Sequence, residues 1–314
     1  MVKKIALEEH FLDPVTVDYW RPTMVDVAPA KTAQLYECLT DFGEQRLKMM
    51  DDTGIARMVL AVAGPGVQAE RDTAAAVRNA RASNDFLAKQ MQQRPDRYSG
   101  FAHLAMQDAK AATDELERCV RDLKFCGAMI NGHTNSKYLD DRSYDPFWER
   151  AAALGAPIYL HPGDPVAPLP VLAGHNVLAR PMWGWGVETG SHALRIICGG
   201  VFHRYPKAKL VIGHLGETLP FLLWRFDSRS KPYGWNLPKP PSQYIKENVW
   251  VTTSGMYDGP PVHCSIDALG RDRVLFSADY PFDWPGCDFL DTLPMDESLR
   301  ADVAFNNAAK LLGL

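Results

Sequence analysis

The sequence predicts an α/β fold, a (β/α)8 TIM-type barrel, and three observations carry that expectation. Short apolar runs rich in β-branched residues recur eight times along the 314 residues. Amphipathic stretches of good helix formers separate them, the alternation expected of a parallel sheet. No G-x-G-x-x-G follows any run, so the strongest signal for a doubly wound dinucleotide-binding sheet is missing. Eight strand–helix units in a chain of this length fit a closed barrel, with residues 1–314 as one domain.

The expected strands are residues 3–7, 56–62, 98–102, 127–130, 157–160, 209–212, 249–252 and 274–276. Helices are expected over 72–93, 109–122, 190–203 and 298–312, where apolar positions recur at helical spacing among good helix formers. Two stretches belong to no unit. Residues 13–33, rich in Pro, Val and aromatics, are expected to fold over the barrel mouth. Residues 225–243 (RFDSRSKPYGWNLPKPPSQ) form a proline-rich insertion after the sixth strand, suited to a lid or a subunit contact.

A formal charge of −4 with mixed signs gives no basic stripe, which argues against a nucleic-acid partner. No stretch approaches the roughly 20 apolar residues of a membrane span, and the first residues lack the apolar core of a signal peptide. The expected location is therefore the cytoplasm. Six scattered cysteines without a C-x-x-C are expected to be reduced and mostly buried.

In barrel enzymes the chemistry sits beyond the C-terminal ends of the strands, so the polar residues that follow each run carry the functional signal. In KKIALEEHF, Glu8 and His10 come after the first run. Being two apart on extended backbone, they face the same side, the barrel interior, and Glu9 between them is expected to point outward in a structural role. The fifth run, APIYLHPGDP, delivers His161; the eighth, RVLFSADYPF, delivers Asp279. Glu8, His10, His161 and Asp279 make an N/O ligand set suited to Zn²⁺ or Mn²⁺, with no organic cofactor. After the sixth run, KLVIGHLGE places His214 and Glu217 three apart at the expected start of a helix, where the carboxylate can fix the imidazole tautomer. The alternative for that pair is an N-terminal capping arrangement. The remaining histidines read as ordinary. His103 follows the third run without supporting motifs, and His133, His175, His192, His203 and His263 fall in loops or helices, with His133 able to face a substrate.

Taken in order, IALEEHF, YLHP, IGHLGE, WRFD, TTSG and LFSADYPF resemble the metal-dependent nonoxidative decarboxylases of the amidohydrolase superfamily, of the γ-resorcylate type and its 2,3-dihydroxybenzoate and salicylate relatives. The likeness runs from Lys3 to Leu312. It implies an amidohydrolase-like barrel, a metal site of Glu8, His10, His161 and Asp279, and a polar pair, His214 and Glu217, beside the substrate. It further implies substrate contacts from Asn131 (GAMING), Arg225 (WRFD) and Phe282, and a homodimer or homotetramer. His10, where other members carry Ala, places the chain nearer the γ-resorcylate type. Residues 13–33, 134–144 and 165–185 depart from the pattern, and they are expected to line the pocket mouth.

The expected reaction is reversible decarboxylation of an ortho-hydroxybenzoate to CO₂ and a phenol, with the metal chelating the substrate's carboxylate and hydroxyl, Asp279 as acid and His214 with Glu217 assisting. The alternative is a metal-dependent hydrolase of a lactone or amide, because the same barrel supports both chemistries. Glu-x-His in place of the hydrolases' usual His-x-His favours the decarboxylase.

Overall fold

The computed structural model describes all residues, 1–314. Eight strands follow one another around a nearly closed barrel: β1 (Lys4–Phe11), β2 (Ile55–Val62), β3 (Tyr98–Ala102), β4 (Gly127–Asn131), β5 (Ile158–His161), β6 (Leu210–Ile212), β7 (Val249–Thr252) and β8 (Val274–Leu275). Each pairs in parallel with the next. The apolar runs predicted from the sequence are these strands, as expected for a sheet buried on both faces.

Two apolar layers result. Ile5, Val59, Phe101, Met129, Val211 and Leu275 fill the barrel interior, together with Ala308 and Leu311 from the last helix. Lys3 Nζ lies 4.6 Å from the centre of the Phe305 ring, which ties that terminal segment to the end where β1 begins. The opposite strand faces, with Ala6, Met58, Leu60, Ile130, Leu160 and Ile212 among them, pack against the helices. Each of the larger of these side chains, the Met, Leu and Ile residues, contributes about 1.5–3 kcal/mol when fully buried.

The first strand departs from simple alternation, and the departure serves the site. Ala6 pairs with Met58 but Glu9 pairs with Leu60, so β1 spends one residue more than its neighbour over that interval. Before this bulge Ile5 and Leu7 face the interior; after it His10 does, in register with Ala61. Bulges commonly re-aim side chains beside active sites. Contrary to the expectation of a strand ending at Leu7, Glu8 and His10 thus lie within β1. Across the seam between β8 and β1, His10 N donates to Tyr280 O at 2.8 Å and Glu8 N donates to Ser277 Oγ at 2.7 Å.

Two long helices match their predicted spans once their caps are counted. Asp72 caps helix Thr73–Gln93 and Asp108 caps helix Ala109–Arg121, each carboxylate accepting from two backbone N–H groups of the first turn. The other two predicted helices are divided. Helix Gly184–Cys198 starts earlier than expected and stops at Gly199, and Val201–Arg204 resumes after Gly200, whose φ of +72° no helix accommodates. The terminal stretch runs as Glu297–Ala301, a π-helical turn Asp302–Asn306, and Asn307–Leu312.

Residues 13–33 pack at the strands' C-terminal ends: Trp20 is buried with Leu12 and Ala63, which follow β1 and β2, and Thr23 O accepts from Arg180 Nη1 at 2.9 Å. The proline-rich insertion lies between β6 and β7; it begins within helix Leu223–Ser230 and continues through a 3₁₀ turn, Lys231–Tyr233. No helix is long and apolar enough to cross a membrane. All six cysteines are free; Cys119 and Cys287 are buried, whereas Cys198 is exposed, so burial of most of them does not hold.

Candidate active site and metal centre

At the C-terminal mouth of the barrel, β1 contributes Glu8 and His10 and β5 ends on His161. Asp279 follows β8, and His214 follows β6. The ligand-capable atoms of Glu8, His10 and His161 all lie within 4.8 Å of one another, and so do those of Glu8, His214 and Asp279. His10 Nε2 is 3.2 Å from Asp279 Oδ1, and His161 Nε2 is 3.5 Å from Glu8 Oε1. Glu8 Oε1, His10 Nε2 and Asp279 Oδ1 are buried without a hydrogen-bond partner. Such orphaned atoms are costly singly, and several converging on one point form the donor set a divalent cation satisfies. The residues present therefore fit a metal ion.

The layer beneath fixes Glu8. Its Oε2 accepts from the Tyr159 and Ser254 hydroxyls, leaving Oε1 to face the cluster. Thr252 Oγ1 joins Tyr159 Oη at 2.7 Å and Ser254 Oγ at 3.0 Å. His161 Nδ1 is paired with Pro162 O at 2.8 Å, which commits Nε2 to the site. Gly213 is required here, because a Cβ would stand 2.6 Å from Glu8 Oε2.

His214 Nδ1 and Glu217 Oε1 are 2.8 Å apart, so the pair meets as its spacing suggests. The local backbone is not the helix start expected, however. His214, Leu215, Glu217 and Thr218 all have φ between +50° and +71°, forming a left-handed turn that costs of order 1–2 kcal/mol per residue. Asp279 shares this conformation, with φ of +53°. Strain concentrated at these residues belongs to the site, since neither strand nor helix requires it.

The electrostatics sort the imidazoles into two kinds. Burial, with cationic neighbours, pushes His10 and His161 down to about 4, so both are neutral and offer a lone pair. Burial opposes the charge of His214 as well, but Glu8, Glu217 and Asp279 outweigh it and raise His214 to about 10. Burial and the Glu8 carboxylate lift Asp279 well above the ordinary carboxyl range. Burial would raise Glu8 too, but the surrounding histidines outweigh it and the net shift is downward.

Of the expected substrate contacts, Phe282 is placed beside the cluster, its ring 5.5 Å from that of His10. Asn131 ends β4 in register with His161, with its Oδ1 buried and unpartnered and its backbone held by Gln68. Arg225 is exposed on helix Leu223–Ser230, and its guanidinium has no hydrogen bond or ion pair within the chain. His133 packs against Tyr138 at 5.6 Å and accepts from Ser136 N. His103 is a buried structural residue whose Nε2 accepts from Val67 N at 2.9 Å.

Sequence reasoning overlooked Tyr159, Thr252 and Ser254 as supports of Glu8. The signal was present: Tyr159 stands two before His161, and Thr252 and Ser254 are two apart, so period-2 alternation aims them inward. Glu9 does point away from the interior, as expected, but it is fully buried and pushed up to about 8 by that burial, against the pull of its hydrogen-bond donors at Ala278, Ser277 and Tyr280.

Residues 39–314 match the family model described as amidohydrolase. The chain is 39% identical to the γ-resorcylate decarboxylase of Polaromonas sp. strain JS666, over 99% of this chain and 98% of that protein. A crystal structure of 2,6-dihydroxybenzoate decarboxylase complexed with 2,6-dihydroxybenzoate superposes with a TM-score of 0.92 at 37% identity, covering 100% of both chains. The dihydroxybenzoic acid decarboxylase from Polaromonas sp. JS666, with bound manganese and the inhibitor 2-nitroresorcinol, gives 0.92 at 39% identity, covering 100% of this chain and 98% of that one. With its barrel, its ligand cluster and this full-length likeness, the chain belongs to the amidohydrolase family as a homologue of the γ-resorcylate decarboxylases.

Proposed function

We propose that this protein is a carboxy-lyase that reversibly and nonoxidatively decarboxylates an ortho-hydroxybenzoate of the γ-resorcylate, 2,3-dihydroxybenzoate or salicylate type. The observation that supports the reading is a pair of overlapping clusters, Glu8 with His10 and His161 and Glu8 with His214 and Asp279, with partnerless buried atoms on Glu8, His10 and Asp279, in a chain 39% identical to a γ-resorcylate decarboxylase. The hydrolase alternative finds no comparable support among these relatives, which are named for decarboxylation of dihydroxybenzoates.

Glu8, His10, His161 and Asp279 would hold one divalent cation, with no organic cofactor. The manganese in the Polaromonas structure favours Mn²⁺ over Zn²⁺. When bound, the cation supplies Lewis-acid stabilisation and a chelating site for the substrate's carboxylate and adjacent hydroxyl. Asp279 donates a proton to the ring carbon that bears the carboxylate. Protonation there avoids an aryl carbanion: with the ortho hydroxyl having given up its proton to solvent on binding, the ring becomes a dienone. Its C–C bond then breaks to release CO₂, and the electron pair passes through the ring to the oxygen, restoring an aromatic phenolate that takes a proton from solvent on release. Asp279 is left ionised and regains a proton before the next turnover. His214, held by Glu217, polarises the phenolic oxygen, while Phe282 packs beside the ring and Asn131 hydrogen-bonds to a substrate oxygen. Arg225 contributes to substrate binding from the insertion.

The whole chain acts as one domain, and it assembles as a homodimer or homotetramer. Phe221, Trp224 and Tyr233 are 79%, 77% and 87% exposed around the insertion, an aromatic surface that a second copy would cover. Trp235 is spared that role because it packs on Tyr244 and donates to Lys239 O at 2.9 Å. Light scattering is expected to give a dimer or tetramer mass; monomer alone would refute the assembly. For the reaction, Mn²⁺-loaded protein is expected to release resorcinol from 2,6-dihydroxybenzoate, with loss of turnover on chelation and recovery on adding Mn²⁺. A fully loaded protein inert towards all three acids would contradict the proposal.

A further inference from the structure

Glu9 lies between two cluster residues in sequence yet points to the opposite face of β1. Its carboxylate meets the segment that carries Asp279. Glu9 Oε1 accepts from Ala278 N at 2.8 Å and from Ser277 Oγ at 2.9 Å, and Oε2 accepts from Tyr280 N at 3.1 Å. One buried carboxylate thus grips the amides immediately before and after Asp279, whose φ is +53°. Other contacts hold the carbonyls of the same two neighbours: Tyr257 Oη donates to Ala278 O at 2.5 Å, and His10 N donates to Tyr280 O at 2.8 Å. Ser277 Oγ accepts from Glu8 N at 2.7 Å while donating to Glu9, so the grip also reaches Glu8.

We propose that Glu9 is a positioning residue: by clamping the amides of Ala278 and Tyr280 it holds Asp279 in its left-handed conformation, with the carboxylate aimed at the cation and the reacting ring carbon. The inference rests on the reading of Asp279 as metal ligand and acid. The ionised carboxylate meets the geometry, because both of its oxygens accept, and the three donors favour that form against the burial that opposes it. Glutamine would turn one acceptor into an NH₂ facing an N–H group, and an apolar residue would leave two buried amides unpaired. A purely structural role in closing the β8–β1 seam makes a different prediction. The start of β8 is anchored separately by Asn307 of the last helix, whose Nδ2 donates to Arg271 O at 2.7 Å and Val274 O at 2.9 Å without touching Ala278, Asp279 or Tyr280.

The test compares Glu9→Gln with Asn307→Ala by Mn²⁺ titration of chelator-stripped protein, followed by electron paramagnetic resonance, alongside kcat, KM and melting temperature. Glu9→Gln is expected to weaken Mn²⁺ binding about 10- to 100-fold and, at saturating Mn²⁺, to lower kcat by a similar factor with KM little changed. Asn307→Ala is expected to lower the melting temperature while Mn²⁺ affinity and kcat stay at wild-type values. A Glu9→Gln protein that loses only melting temperature overturns the proposal. If that variant does not fold, Glu9→Asp, which keeps the charge but is one methylene short of reaching both amides, is judged on the same two readouts. The affinity readout does not depend on which reaction is catalysed, so a failed decarboxylation assay leaves it intact. Wild-type Mn²⁺ affinity in Asp279→Asn would instead refute the underlying role of Asp279 and, with it, the clamp.

Discussion

In the proposed reaction Asp279 is both a ligand and a proton donor, and two features of its setting bear on those roles. Its left-handed backbone turns the carboxylate towards His10 and His214; burial and the Glu8 charge raise its affinity for a proton, and a bound cation opposes that shift. Asp279→Asn keeps the shape but has no acidic proton, so kcat is expected to fall by about 100- to 10,000-fold, measured by steady-state kinetics at saturating Mn²⁺. An asparagine variant retaining wild-type kcat would remove Asp279 as the acid. The residues of this cluster were legible in the sequence because each follows an apolar run, where local pattern determines placement, although β1 extends past Glu8 and His10. Glu9 and the hydroxyl layer of Tyr159, Thr252 and Ser254 were less so, because their meaning depends on partners up to 271 residues away in the chain.

At the scale of elements, helix Gly184–Cys198 shapes the polar pair through an absence. A Cβ at Gly186 would stand 2.7 Å from Glu217 Oε2, the free end of a side chain whose other oxygen pairs with His214. Gly186→Ala is therefore expected to fold normally, since alanine favours helices by about 1 kcal/mol, yet displace Glu217 and reduce kcat. A lowered melting temperature with unchanged kcat would contradict this account. Two buried histidines outside the site predict a pH response. His103 is pushed down to about 4 and His192 to about 3 by burial, each with Nε2 accepting a backbone N–H, from Val67 and Leu139 respectively. Their ordinary value of about 6.5 is restored on unfolding, so the unfolded chain binds more protons below it. Stability is expected to be fully present above pH 6.5 and to fall as pH drops towards about 4, by at most about 1.4 kcal/mol per pH unit for each histidine. Urea unfolding of His103→Gln against the wild type checks it: a shallower slope in the variant is expected, and an identical slope would refute the assignment. The strands were readable as apolar runs; the break at Gly200 had a local signal in the Gly199–Gly200 pair that went unused, whereas the π-helical turn at Asp302–Asn306 has none in local propensity.

For the whole molecule, the barrel supplies a rigid frame in which β1, β5 and the segments after β6 and β8 deliver polar groups to one mouth. The alternation of strands and helices made that architecture readable, whereas the β1 bulge and the side-chain closure of the seam could not be read because both are relations between strands. The central claim is that this mouth protonates an aromatic ring as it releases CO₂. Its most direct test is turnover of 2,6-dihydroxybenzoate by Mn²⁺-loaded protein in D₂O, with mass spectrometry of the product. The account predicts resorcinol carrying one new deuterium at the carbon that held the carboxylate. No aromatic product from this acid, from 2,3-dihydroxybenzoate or from salicylate, together with turnover of a lactone or amide, would contradict it.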